Sequence, residues 1–376
     1  MPTVDEVTAA LATVRDPEIH RPITELDMVG GIDIGPGGAV RVTVLLTVAG
    51  CPLHDTIRRD VTAAVAKVPG VAEVLVEFGV MTDEQRQELQ RRLMGDRAER
   101  EIPFGRPGSL TRVYAVASGK GGVGKSSVTV NLAAAFAAAG RTVGVVDADM
   151  YGHSVPRMLG VTARPTQVQQ MIMPPTVGGI RVISVGMFTA GNQPIVWRGP
   201  MLHRALRQFL ADVYWGDLDV LLMDLPPGTG DIAISVAQLL PTAELVVVTT
   251  PQQAAAEVAE RAGGIALQTH QRIAGVVENM SWLPCPHCGH RIDLFGSGGG
   301  ALVAEALSRK VGAPVPLLGQ VPLDTRLCEQ GDAGEPLVSA EPDAPAAKVL
   351  VAVADQLAGR GRGLAGRQLG LTPVGS

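Results

Sequence analysis

A chain of 376 residues is long enough for two average domains, and with 46% hydrophobic but only 3% aromatic residues its core must be mostly Val, Leu, Ile and Ala. A net charge of −5 with no long basic run argues against nucleic acid or an anionic membrane as the main partner. Four cysteines make no disulfide framework, MPTVDEVTAA is no secretory leader, and no uncharged apolar run reaches the ~18 residues of a bilayer span, so a soluble, cytoplasmic protein is expected.

Residues 1–95 read as a small α/β unit. Val4, Val7, Leu11 and Val14 are spaced for one helix face, opened by a Thr3/Glu6 capping box and ended by Asp16-Pro17. VRVTVLL (40–46) predicts a strand, Leu53, Ile57, Val61 and Val65 a second helix, and VAEVLVEF (71–78) a second strand after Pro69-Gly70. Cys51 falls between a strand and a helix, with Pro52 suited to the first helical position. A thiol there is either reactive, its pKa lowered by the helix start, or a small buried hydrophobe. The charged stretch 82–101 predicts a solvated helix running into a linker at 96–110, marked by Pro103, Gly105, Pro107 and Gly108.

From 111 to 359 short apolar runs alternate with helical stretches. The runs at 113–118, 142–147, 181–186, 219–224, 244–250, 273–279 and 315–321 are rich in Val, Ile and Leu. Such runs between helices predict an α/β fold with a mostly parallel sheet covered on both faces. Residues 344–359 read as a helix closing this domain, and the Gly-rich stretch 360–376 as a flexible tail.

The first of these runs leads into SGKGGVGKSS (118–127), where Gly119, Gly124, Lys125 and Ser126 match G-x-x-x-x-G-K-S/T. Gly119 through Ser127, including Gly121, Gly122, Val123 and Ser127, form the candidate cradle for a nucleotide's phosphates. Backbone N–H groups and the following helix N-terminus would face the phosphates, Lys125 would reach the β/γ groups, and Ser126 would hold Mg²⁺. Asp147 and Asp149 (VVDADMYGHS) and Asp224 (LLMDLPPGTGD) end two further runs, where parallel sheets bind ligands. Asp224 is the candidate Mg²⁺ residue, Asp149 the one to orient an attacking water, and Asp147 a loop-shaping residue. PPGTGD (226–231) reads as a loop able to sense the γ-phosphate.

CPHCGH (285–290) holds two thiols at half the count of a four-thiolate metal site. The other cysteines, Cys51 and Cys328, are single and remote, and His287 and His290 lie too close to the thiols for comfortable tetrahedral geometry. The missing half is most simply the same hexapeptide on a second copy, met across a two-fold axis. Thiolates in fours suit zinc or an iron–sulfur cluster, and spacing does not name which.

The GKGGVGK form resembles the deviant Walker A loop of MinD/ParA-type ATPases. In that class Lys120 corresponds to a lysine that reaches the partner's phosphates in a nucleotide-bound homodimer, and it joins Asp149 and Asp224 as a catalytic candidate. Together with DADMYGHS, DLPPGTGD and ENMSWLPCPHCGHRIDLFGSGGG (278–300), the loop resembles the Mrp/ApbC family of P-loop iron–sulfur cluster carriers, over roughly 111–340. That resemblance implies a slow ATPase in which Cys285 and Cys288 hold a 4Fe–4S cluster bridging two subunits. It further implies that Asn279 contacts adenine, that Pro322 and Asp324 of PLD line the base, and that apo iron–sulfur proteins and cluster-assembly factors are partners. DPEIHRPITELDMVG (16–30) and TVAGCP (47–52) resemble the SufT-like assembly domain often fused ahead of these ATPases, although His20 and Arg21 depart from its pattern. The reading weighed against a carrier is a MinD/ParA-like positioning protein with a structural zinc site.

Overall fold

The computed structural model describes residues 1–360 except 18, 20, 48–52, 95–100, 107, 150–151, 170, 189–198, 229–230, 253–260, 263, 265 and 286. Cys51, His20, Thr229 and Gly230 of the PPGTGD loop, and nearly all of the expected tail therefore lie outside the described residues. Contacts divide the chain into one unit of Met1–Glu99 with Thr166–Met173 and a second of Arg100–Pro165 with Pro174–Ser376.

In the first unit the Thr3/Glu6 capping box forms as the sequence requires, and α1 (Val4–Leu11) buries Val7 and Leu11. The helix stops three residues short of Val14, which is still buried. Three strands, β1 (Val29–Ile34), β2 (Ala39–Leu46) and β3 (Glu73–Val80), form a sheet in the order β1-β2-β3. The strand β1 went unforeseen because VGGIDI carries two glycines and an aspartate, none of them strand formers. It pairs antiparallel to β2 through a turn where Gly37 and Gly38 adopt φ of 81° and 85°. A Cβ on Gly38 would sit 2.2 Å from the Gly70 carbonyl oxygen, so both conformation and space demand glycine. The helix α2 (His54–Val65) crosses over to β3, which runs parallel to β2, and buries Ile57, Val61 and Val65 as their spacing requires. The charged α3 (Asp83–Met94) follows. A short hairpin, unforeseen from sequence, clusters with this unit: β6 (Thr166–Val168) pairs with β7 (Met171–Met173).

The second unit is built on an eight-stranded sheet. Its strands are β4 (Arg112–Ser118), β5 (Val143–Asp147), β8 (Thr176–Val177), β9 (Ile180–Ser184), β10 (Val220–Asp224), β11 (Glu244–Thr249), β12 (Ile273–Glu278) and β15 (Leu317–Gln320). Their order is β15-β12-β11-β4-β10-β5-β9-β8, parallel throughout except for the short edge strand β8. This is the expected α/β architecture, and the strands begin or end within one or two residues of the apolar runs, apart from the edge strand.

The helix α4 (Lys125–Ala138) follows β4 directly and is apolar on nearly all sides, with ten of its residues buried. It lies in one core with the helix Pro345–Gly359, which buries Leu350, Val353 and Leu357 and so closes the domain as expected. The Tyr114 ring stacks on Phe136 and its hydroxyl donates to the Leu357 carbonyl at 2.8 Å, pinning strand, helix and terminal helix together. Parallel register places Asp224 beside both Asp147 and Val116, so β5, β10 and β4 end at one level. Among the described residues no helix is long and apolar enough to cross a membrane.

Candidate functional site

The β4–α4 turn makes the phosphate loop. Gly122 and Gly124 take left-handed φ of 78° and 77°, which lets the backbone curl before α4 starts at Lys125. A cleft of about 250 Å³ opens over this turn, lined by residues 120–127 together with Ser118, Asp149, Ser154, Met158 and Pro227.

Asp224 is the hub beneath the cleft, fully buried behind Lys125 and Ser126, which line it. Lys125 Nζ pairs with Asp224 Oδ2 at 2.6 Å, and Ser126 Oγ donates to the same oxygen at 2.6 Å. Thr129 Oγ1 donates to Asp224 Oδ1 at 2.8 Å and to the Lys125 carbonyl at 3.0 Å. Thr129 belongs to no motif in the sequence; its one signal there is the one-turn spacing from Lys125, which puts both on one helix face. A buried carboxylate, a lysine and a hydroxyl converging beside glycine N–H groups match the donor set of a Mg²⁺–nucleotide site.

Asp147 is 1% exposed and turned toward the protein. Its Oδ1 accepts from the Asp149 N–H at 3.2 Å, and Oδ2 from the Val155 N–H at 3.3 Å and Ser184 Oγ at 3.2 Å. Burial, then the charge of Asp224, push its carboxyl up to about 8. It therefore shapes the loop that carries Asp149, which lines the cleft and accepts from the Gly152 N–H at 3.0 Å. Ser154 and Met158, not singled out from sequence, come from the same loop and α5 (Val155–Met158). Of the PPGTGD residues, Pro227 lines the cleft and the Gly228 N–H donates to the Ser118 carbonyl at 2.9 Å.

Lys120 stands at the rim, its Nζ donating to Gln252 Oε1 at 2.5 Å. Asn279 lies behind the loop: Nδ2 donates to the Val123 carbonyl at 2.9 Å. Pro322 and Asp324 are not on the cleft wall. Their segment runs beside the Asn279 turn, through Ser281 N to Val321 O (2.9 Å) and Leu323 N to Trp282 O (2.8 Å). Asp324 caps its helix at the Arg326 N–H (3.1 Å) and pairs with the Arg326 guanidinium at 2.8 Å.

The thiols sit on a hairpin of β13 (Leu283–Pro284) and β14 (Arg291–Ile292). The Cys285 N–H donates to the His290 carbonyl (2.9 Å) and the Gly289 N–H to the Cys285 carbonyl (2.8 Å), with Gly289 at φ 70°. Cys285 is half-buried and Cys288 exposed. The backbone N–H groups of His287 and Cys288, and then the Cys288 side chain, hold the Cys285 thiol below its usual pKa. Among the described residues no three His, Cys, Asp or Glu gather to hold a metal, so His287 and His290 do not complete the pair. Cys328 is exposed, its Sγ 4.0 Å from Asp332 Oδ2, and among the described residues it belongs to neither site.

Comparison with known proteins agrees with this geometry. Residues 109–358 match the family model described as NUBPL iron-transfer P-loop NTPase, and residues 4–76 that of an iron-sulfur cluster assembly protein. The chain is 65% identical over 368 residues to the iron-sulfur cluster carrier protein of Mycobacterium tuberculosis, covering 98% of this chain and 96% of the relative. It is 41% identical over 320 residues to the carrier of that name in Bacillus subtilis, covering 85% and 88%. Among solved structures, a nucleotide-binding protein from Archaeoglobus fulgidus in complex with ADP is similar with a TM-score of 0.54 and 34% identity, covering 70% of this chain and 95% of that one.

Proposed function

Because the chain belongs to the iron-sulfur cluster carrier family of P-loop NTPases, we propose that it binds and slowly hydrolyses ATP, carries a 4Fe–4S cluster between two copies of itself, and passes the cluster to apo-proteins in the cytoplasm. The observation that carries this reading is the thiol hairpin: Cys285, half-buried, and Cys288, exposed, stand in one C-x-x-C turn, with no third ligand gathered among the described residues. A two-fold axis beside the hairpin would bring two thiolates from each copy to one cluster, the ligand count such clusters need.

In this reading Gly119–Ser127 cradle the phosphates, and Ser126 and Asp224 hold Mg²⁺, which neutralises charge on the β/γ oxygens when bound. Lys125 turns from Asp224 to the phosphates. Asp149 orients the attacking water, its loop fixed by Asp147. Lys120 leaves Gln252 to reach the partner's nucleotide, so an isolated copy hydrolyses slowly. Asn279, with Pro322 and Asp324 beside it, takes the base. Residues 1–95 act as an assembly domain, joined through a 96–110 linker to the ATPase domain 111–359 and its 360–376 tail, with Cys51 as an accessory thiol.

The test is anaerobic reconstitution with iron and sulfide of the wild type, Cys285→Ala and Cys288→Ala. The proposal expects a cluster in the wild type and none in either variant. Full iron and sulfide in both variants, or stoichiometric zinc without labile iron in freshly purified protein, would overturn it.

A further inference from the structure

One buried acid in this unit takes no part in the roles given above. Glu278, the last residue of β12, is 0% exposed. Its Oε1 accepts from Ser281 Oγ and from Gln320 Nε2, the latter at 2.8 Å. Its Oε2 accepts from the Gly300 backbone N–H at 2.5 Å.

These partners are not scattered. Ser281 lies three residues beyond the end of β12, just ahead of the thiol hairpin, and Gly300 lies in the first turn of the helix Gly299–Val311 that follows it. One carboxyl group therefore holds both ends of the excursion 282–299 that presents Cys285 and Cys288. The returning helix depends on it, because its N-cap, Gly298, supplies no side-chain acceptor. Close approach is built in: a Cβ on Gly300 would fall 2.7 Å from Glu278 Cβ, and one on Gly299 would fall 2.6 Å from the Pro251 carbonyl oxygen. The adjoining residue in the chain is Asn279, whose amide grips the phosphate loop at the Val123 carbonyl, 2.9 Å away. The Glu278 carbonyl accepts from the Val321 N–H at 2.8 Å, fixing the neighbouring segment as well.

We propose that Glu278 is a positioning residue that fastens both ends of the thiol-bearing excursion to the strand end touching the phosphate loop, so that nucleotide at the loop alters the presentation of Cys285 and Cys288. The inference deepens the carrier reading and rests on its assignment of Cys285 and Cys288 as the ligand thiols. A helix cap of purely structural value would change stability and leave any response of the thiols to nucleotide intact. A coupling residue would change the response itself.

The experiment uses the full chain without cluster. The alkylation rates of Cys285 and Cys288 by a maleimide are read by peptide mass, with no nucleotide, with ADP and with a non-hydrolysable ATP analogue, and Cys328 serves as internal control. In the wild type, nucleotide should change the hairpin rates by about fivefold or more, the lower range of coupling between sites. Glu278→Gln keeps the shape but replaces one accepting oxygen by an N–H₂, which then faces either the Gly300 N–H or the Ser281 and Gln320 donors. It should flatten that response to under about twofold while nucleotide affinity stays within about twofold, since no phosphate-cleft residue is changed. Ser281→Ala removes one fastening and should give a partial loss; if Glu278→Gln does not fold, Ser281→Ala decides alone. A wild type whose thiols ignore nucleotide, or variants whose thiols respond as the wild type does, would overturn the inference. Iron and sulfide content of reconstituted wild type, measured in parallel, judges the carrier reading separately: absent iron with a Glu278-dependent thiol response would sink that reading and leave this inference standing.

Discussion

Asn279 Nδ2 donates to the Val123 carbonyl at 2.9 Å, so the strand leading to the thiols ends against the back of the phosphate loop. The same amide nitrogen lies 2.2 Å from where a Cβ on Gly124 would be, and Gly124 has φ of 77°. Gly124→Ala should therefore displace Asn279 and strain the loop together. A strain of about 1–3 kcal/mol corresponds to roughly fivefold to 150-fold weaker ATP binding, readable by calorimetry. Unchanged affinity would show that the loop does not need this close approach.

The two loop lysines should separate cleanly. Lys125→Ala leaves the fully buried Asp224 without its cation, at a cost of about 3–5 kcal/mol, so this variant should lose thermal stability as well as ATP affinity. Lys120 is at the rim, where its Nζ donates to Gln252. Lys120→Ala should keep the wild-type melting temperature and bind ATP, yet lose ATP-dependent activity. Equal loss of affinity in both variants would contradict a role for Lys120 on the partner's nucleotide.

Thr129 should matter to Mg²⁺–ATP without touching phosphate. Thr129→Val removes its hydrogen bond to Asp224 Oδ1 while preserving volume, leaving a buried acceptor short of one donor. The expected penalty of about 1 kcal/mol is roughly a fivefold weakening of Mg²⁺-dependent ATP binding. Titration with ATP at fixed Mg²⁺ checks it; a Thr129→Ser variant should restore most of the affinity.

Asp147 predicts a pH dependence of stability in the nucleotide-free protein. Its carboxyl is raised from 3.8 to about 8, first by burial and then by Asp224. Between those values the folded chain holds a proton that the unfolded chain releases, so this group's contribution falls as pH rises and levels off above about 8. The slope is at most about 1.4 kcal/mol per pH unit. Asp147→Asn, which cannot ionise, should therefore gain on the wild type in melting temperature from pH 5 to pH 8, whatever its offset from altered bonds to Asp149, Val155 and Ser184. A constant difference across that range would mean Asp147 is ionised throughout.

Much of this was legible in the sequence because its signals are local. Glycine spacing marks the phosphate loop, period-3.6 apolar residues mark α2, and a C-x-x-C pair marks the thiol hairpin. The residues that escaped notice act across the fold. Thr129 and Gln252 look ordinary until the chain brings them to Asp224 and Lys120. Glu278 reads as the polar end of a strand, and only the return of Gly300, twenty-two residues on, gives its carboxyl a purpose. The edge strand β8 and the β6–β7 hairpin are two or three residues long, too short for a periodicity to declare them.

The central claim is that one cluster is shared by two copies through Cys285 and Cys288. Its most direct measurement is iron and acid-labile sulfide per chain, with native mass, on anaerobically reconstituted protein. The account predicts about two irons and two sulfides per chain in a species of dimer mass, as one 4Fe–4S cluster between two chains requires, and their loss together in Cys285→Ala and Cys288→Ala. A full cluster on a monomer, or variants that retain full iron and sulfide, would contradict it.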